Sequence, residues 1–246
     1  MADPINTAVP PAQRSDAITG VVDAGLRSHM LSVYNYMVSG VLLSGIVAFL
    51  VAGDDTARSL FFGPAGTPTT LGWVAVFAPL ALVLVFSFGL NRLPTGAARA
   101  IFWAYAALMG VSLSTVLLAY TGVSVAQTFF VSAAAFAGLS LWGYVTRKDL
   151  SGFGTFLIMG LFGLIIAMLV NMFLRSSAMD LIVSVVGVLL FAGLTAYDTQ
   201  RIKNLYSEVG NGAFRGKAEV LGALTLYLDF INLFLFLLRL MGDRRQ

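Results

Sequence analysis

Not one cysteine occurs among the 246 residues, which excludes disulfides, thiolate catalysis and cysteine-based metal sites. Histidine occurs once, as His29 at the start of the first apolar run. A serine–histidine intramembrane protease needs a histidine at depth near a Gly-x-Ser arrangement, and His29 is far from any; it reads as an interfacial residue. Charge is scarce too. Charged residues make up 11% against 58% hydrophobic ones, and the mean hydropathy is +0.86. That balance excludes a soluble domain and disorder alike and leaves an integral membrane protein. Lysine is absent from the interior of every apolar run, since Lys148, Lys203 and Lys217 lie in loops or at a helix end. A retinal protein is therefore excluded. The first ~27 residues carry Pro4, Pro10 and Pro11 and no apolar h-region, so 1–27 read as a flexible tail rather than a signal peptide, with 28–246 as the membrane domain.

Apolar runs near the ~20 residues that cross a bilayer as a helix fall at Met30–Val51, Leu71–Leu90, Ala97–Tyr120, Ser124–Tyr144, Phe153–Leu174, Leu181–Leu205 and Val220–Met241. The runs are continuous, whereas barrel strands would alternate at every second residue, so the fold class is an all-α membrane protein with seven transmembrane helices. Net charge is +3 and the pI 9.3; loop cations set by topology explain both, and nothing points to nucleic acid. One side collects Arg14, Arg27, Arg92, Arg99, Arg147, Lys148, Arg201, Lys203, Arg215 and Lys217, and the other has Arg58, Arg175, Arg239, Arg244 and Arg245. This split puts the N-terminus in the cytoplasm. A final segment that dipped in and returned would move the last three across and sharpen the asymmetry. Small residues at packing spacing, Gly40 with Ser44, Ser39 near Gly45, Ala134 with Gly138 and Gly160 with Gly163, predict close helix contacts. Pro79 is the only proline inside a run and predicts a bend.

Two carboxylates break the pattern. Asp198 and Asp229 sit well inside apolar runs, while the other ten acids fall in the tail, connections or segment ends. A carboxylate at membrane depth costs roughly 2.5 to 3.5 kcal/mol on the mildest insertion scales. By helix rise, Asp198 lies roughly 25 Å below the outer entry of its span, and Asp229 roughly 13 Å in from the cytoplasmic side. Both fall in the inner half, and the two can meet. Thr195 precedes Asp198 by three positions, and Thr225, Asp229 and Asn232 form a stripe on one helix face. Carboxylates sharing a low-dielectric site cannot both ionise cheaply, so the pair holds one proton between them and forms a pH sensor. Its oxygens suit a hard cation such as calcium better than a transition metal. The other reading of the pair is a polar clasp joining two helices.

The stretches Phe191-Ala-Gly-Leu-Thr-Ala-Tyr-Asp-Thr-Gln-Arg-Ile-Lys, at 191 to 203, and Ala223-Leu-Thr-Leu-Tyr-Leu-Asp-Phe-Ile-Asn-Leu-Phe, at 223 to 234, resemble the signature of the transmembrane Bax inhibitor motif family. Gly110-Val-Ser-Leu-Ser, at 110 to 114, supports the resemblance. It implies a seven-helix bundle with the seventh helix near the centre, acting as a pH-sensitive calcium-permeable leak channel whose sensor matches Asp198 and Asp229. It implies a latching arginine on the second helix, for which Arg92 is the nearest candidate, and, for a bacterial member, residence in the inner (plasma) membrane. Beyond the bilayer and calcium, the resemblance also implies an alternative role as a regulator of membrane proteins or of a membrane-bound AAA protease. No resident cofactor is expected. An enzyme is not expected either, because intramembrane aspartyl proteases carry a Gly-x-Gly-Asp context where this chain has Tyr227-Leu228-Asp229. A proton-coupled transporter stays open as a third reading.

Overall fold

The computed structural model describes residues 11–63, 67–89, 93–209 and 214–245. Eight helices follow in order among the described residues: α1 (Pro11–Gly53), α2 (Asp55–Phe61), α3 (Thr70–Gly89), α4 (Thr95–Ala119), α5 (Gly122–Val145), α6 (Ser151–Leu174), α7 (Ser177–Val209) and α8 (Arg215–Met241). Among the described residues no β-strand forms. The all-helical expectation holds, because a chain in hydrocarbon must satisfy its main-chain polar groups within each segment.

Among the described residues six helices are long and apolar enough to cross a membrane: Ala24–Gly53 of α1, α4, α5, α6, Ser177–Ser207 of α7, and α8. The remaining expected span lies in α3, whose described apolar stretch, Thr70–Phe86, is shorter. Pro79 lies within α3 as the sequence indicates. Of the stretch read as a tail, residues 1–10 lie outside the described residues and 11–27 form the first part of α1.

The connection after α1 holds a short helix that hydropathy does not reveal. Asp54 caps α2 by accepting from the Thr56 and Ala57 main-chain N–H groups, both at 3.2 Å, and Arg58 pairs with Asp55. Main-chain bonds Gly63 N to Thr67 O, 2.8 Å, and Thr69 N to Phe61 O, 3.0 Å, then lead into α3. On the α5–α6 connection the Ser151 side chain, together with its main-chain N–H, which donates to Asp149 Oδ1 at 2.9 Å, holds the Asp149 carboxyl below its ordinary pKa.

α8 is the axis of the bundle. It packs against α1, α4, α5 and α7, while α3 lies against α4 and α6 against α7. Of its most apolar window 67% is buried inside the protein, against 11% for α6, whose Phe156, Met159, Phe162 and Phe173 are exposed on the outside. A helix that is apolar all round belongs in a core; one whose large apolar side chains face outward belongs against lipid.

At its far end α8 meets the α4–α5 turn. The Thr121 N–H donates to Asp243 O and the Arg245 N–H to Ala119 O, each at 2.9 Å, and the Asp243 N–H donates to Ser124 Oγ at 2.8 Å. The start of α8 lies beside Gly25 of α1, near the start of the membrane-length stretch of that helix, where Arg215 donates to Gly25 O at 3.2 Å. α8 therefore runs the whole length of the bundle and does not dip and return. Arg239, Arg244 and Arg245 stay at the end that holds Arg58 and Arg175.

Two close backbone approaches set the packing. A Cβ on Gly143 of α5 would collide with the Ala196 carbonyl of α7, and one on Gly110 of α4 would sit 2.7 Å from Ser44 O of α1. Of the small residues singled out by spacing, Gly40 is held against Phe102 and Tyr227 and Gly160 against Leu190, whereas Gly45, Gly138 and Gly163 meet open space. Spacing alone does not say which face of a helix has a neighbour.

Candidate functional site

The α7 sequence from Phe191 to Lys203 places three buried polar residues in succession, Asp198, Thr199 and Gln200, with Thr195 one turn before. Asp198 is 7% exposed and Asp229, on α8, is 4% exposed. Their carboxyl groups lie within hydrogen-bonding contact of each other. A carboxylate has only acceptors, so a hydrogen bond between two of them requires one proton. Asp229 Oδ2 is fully buried and accepts no hydrogen bond from any described residue. The Arg201 guanidinium, three residues along α7, is close enough to act on Asp198 electrostatically. Both carboxyl groups are buried inside the protein.

The supporting polar residues behave differently from the pair. Thr195 Oγ1 donates to Phe191 O at 2.7 Å, Thr225 Oγ1 to Leu221 O at 3.1 Å and Asn232 Nδ2 to Leu228 O at 2.9 Å. Each satisfies itself on its own helix. Arg92, the candidate latch, lies outside the described residues. Among the described residues no third histidine, aspartate or glutamate joins the pair to make a metal-holding group, so a calcium ion here would have two carboxyls and neighbouring neutral oxygens. That set is short of the 6–8 oxygen ligands of a resident calcium site.

Three surrounding features escape the sequence reading. Tyr34 OH on α1, Ser140 Oγ on α5 and Thr199 Oγ1 on α7 form a chain at 2.6 and 2.9 Å, ending one residue from Asp198. Gln200 Oε1 accepts from the Leu150 N–H at 2.9 Å while its Nε2 donates to Lys148 O at 2.8 Å, pinning the α5–α6 connection to α7. On α8, two residues before Asp229, Tyr227 OH meets Ser44 Oγ at 2.7 Å, and Ser44 also donates to Ala106 O at 2.6 Å. The signal for Gln200 was its place beside Asp198 in an otherwise apolar run; nothing in the sequence singles out Tyr227.

His29, read from the sequence as interfacial, lies near the start of the membrane-length stretch of α1 and is 1% exposed, with Nδ1 3.6 Å from Glu219 Oε1 and its ring 5.5 Å from that of Tyr206. Glu219 also accepts from Ser32 Oγ at 2.7 Å and from Arg215 Nε at 3.4 Å. The cluster joins α1, α7 and α8 at the end where α8 begins. An acid at a segment end thus has a buried partner that hydropathy cannot indicate.

Known proteins resemble this chain over nearly its full length. The sequence model of the family described as inhibitor of apoptosis-promoting Bax1 matches residues 26–246. An uncharacterized protein of Caulobacter vibrioides is 48% identical over 96% of this chain and 95% of its own. The uncharacterized protein RP147 of Rickettsia prowazekii is 46% identical over 91% and 93%. The inner membrane protein YbhL of Escherichia coli is 44% identical over 94% and 98%.

Proposed function

The chain belongs to the family of inhibitors of apoptosis-promoting Bax1, helical membrane proteins, and from that premise we propose that it is a pH-sensitive calcium-permeable leak, not an enzyme, in which Asp198 and Asp229 form the proton-responsive gate. The observation that carries the reading is the contact between two buried carboxyl groups on the axial helix α8 and its neighbour α7. With one proton shared, the contact holds the two helices together. When the proton leaves, two unit charges ~4 Å apart repel by about 4 kcal/mol at an effective dielectric of 20. That exceeds the 1 to 3 kcal/mol that shifts a two-state equilibrium roughly 5- to 150-fold. Arg201, and Arg92 in the latching role, would set how much of that repulsion is relieved. Calcium is cargo in this scheme, passing the pair when the helices part.

In the same reading α3 completes seven crossings, the N-terminus is cytoplasmic and the protein sits in a bacterial inner membrane. The positive-inside asymmetry and the length of α8 support the orientation, and YbhL of Escherichia coli is an inner membrane protein. Calcium flux through the purified protein in liposomes at several pH values tests the function. A leak whose rate changes with pH in wild type and is flattened in Asp229→Asn is expected; no calcium flux at any pH would overturn it.

A second reading, regulation of membrane proteins or of a membrane-bound AAA protease, draws on α1. That helix begins at Pro11, well before its membrane-length stretch at Ala24, and a helix reaching beyond the bilayer offers a partner a handle. Deleting residues 2–23 separates the two: loss of partner regulation with flux intact favours the regulator, and unchanged regulation counts against it.

A further inference from the structure

A groove of about 750 Å³ opens on the flank of the bundle between α1 and α5. Both helices pack on α8, whose Phe230 lies in the floor. Met30, Met37, Val41 and Phe136 line its length, and no lining residue is acidic. At one end Arg27 is exposed and has no ion-pair partner among the described residues. Tyr144, at the same end, carries Lys203 Nζ 5.2 Å over its ring and accepts from it through its main-chain carbonyl at 2.7 Å. The mouth is therefore cationic and the remainder apolar apart from the Tyr34 and Ser140 hydroxyls.

The dimensions fit one lipid leaflet. From Arg27 to Leu42, both in the lining, α1 rises about 22 Å. Half of a bilayer's hydrocarbon core is ~15 Å, which leaves room for a headgroup at the arginine and ends the groove near the midplane. Methionines suit a flexible chain, because their unbranched thioethers adapt to irregular shapes. A guanidinium grips phosphate through paired N–H donors. We propose that this groove is a binding site for an anionic glycerophospholipid, with the phosphate on Arg27 and one acyl chain lying between α1 and α5. The site stands apart from the carboxyl pair and does not rest on the proposed function. The Tyr34–Ser140 hydrogen bond crosses between its two walls and continues through Thr199 to α7, so the bound lipid touches the same side-chain chain that ends beside Asp198.

Native mass spectrometry of the purified protein, loaded with equal phosphatidylglycerol and phosphatidylcholine of identical acyl chains, tests the assignment. Wild type is expected to retain phosphatidylglycerol ~10-fold over phosphatidylcholine, because the choline cation of the latter is repelled by Arg27 and offsets the attraction of its phosphate. Arg27→Gln, at an exposed position, should lose that preference while still retaining lipid. Ala137→Trp, also at an exposed lining position, should fill the groove and retain neither lipid, with thermal unfolding in lipid-free detergent unchanged. Equal retention of the two lipids by wild type would overturn the proposal, as would a preference that survives Arg27→Gln or retention that survives Ala137→Trp. Displacement of phosphatidylglycerol by soluble glycerol phosphate alone would mark a free-phosphate site and overturn it equally.

Discussion

The Asp198 carboxyl on α7 lies within hydrogen-bonding reach of the Asp229 carboxyl on α8, and Oδ2 of Asp229 is buried with no hydrogen-bond donor among the described residues. Such a contact is an interhelical bond when one proton is present and a repulsion when none is. An amide can stand in for the protonated partner. Asp229→Asn should therefore keep the bundle assembled, with an unfolding free energy within about 1 kcal/mol of wild type. Asp229→Leu removes the bond and leaves Asp198 buried without a partner, and should cost roughly 3 kcal/mol or more. Thermal unfolding in detergent reads both; equal losses in the two variants would show that the contact is not a proton-bridged one.

Gly143 and Ala196 fix the distance between α5 and α7 two residues from Asp198. A methyl group at 143 meets main chain rather than a movable side chain, so Gly143→Ala is expected to destabilise by about 1 to 3 kcal/mol and to disturb the pH response. Gly138, on the same helix, meets open space, and Gly138→Ala should be neutral or slightly stabilising. The pair of melting curves checks the packing, since a uniform effect at both positions would point to helix propensity alone.

Gln200 satisfies both a donor and an acceptor of the α5–α6 connection. Gln200→Leu leaves the Leu150 N–H and the Lys148 carbonyl without that partner, at about 1 to 3 kcal/mol for each group left buried. Amide exchange at Leu150 should accelerate while exchange in the middle of α8 stays unchanged. Unaltered protection at Leu150 would mean that the glutamine does not hold the connection.

Much of this organisation is written in hydropathy. The apolar runs and the observed helices coincide to within a few residues at most ends, because continuous apolar length is what a bilayer selects. Asp198 and Asp229 stand out for the same reason, as carboxyls where only apolar side chains are cheap. What hydropathy leaves hidden depends on neighbours. α2 is too short and polar to register, and its start is set by the Asp54 cap. Gly143 carries no spacing motif yet makes the tight contact, while Gly138 carries one and makes none. His29 lies at the edge of an apolar run, and only the fold brings Glu219 from 190 residues away to its side. The stripe of Thr225 and Asn232 is on α8 as the sequence indicates, but each side chain bonds to its own helix, an option that periodicity cannot weigh.

The most direct test is a double-mutant cycle on calcium flux in liposomes, comparing wild type, Asp198→Asn, Asp229→Asn and the double variant across pH. Carboxyls that share one proton act as a unit, so each single variant should flatten the pH dependence and the double variant should add nothing further. Independent, additive changes, or a pH response that persists in all three variants, would contradict the account.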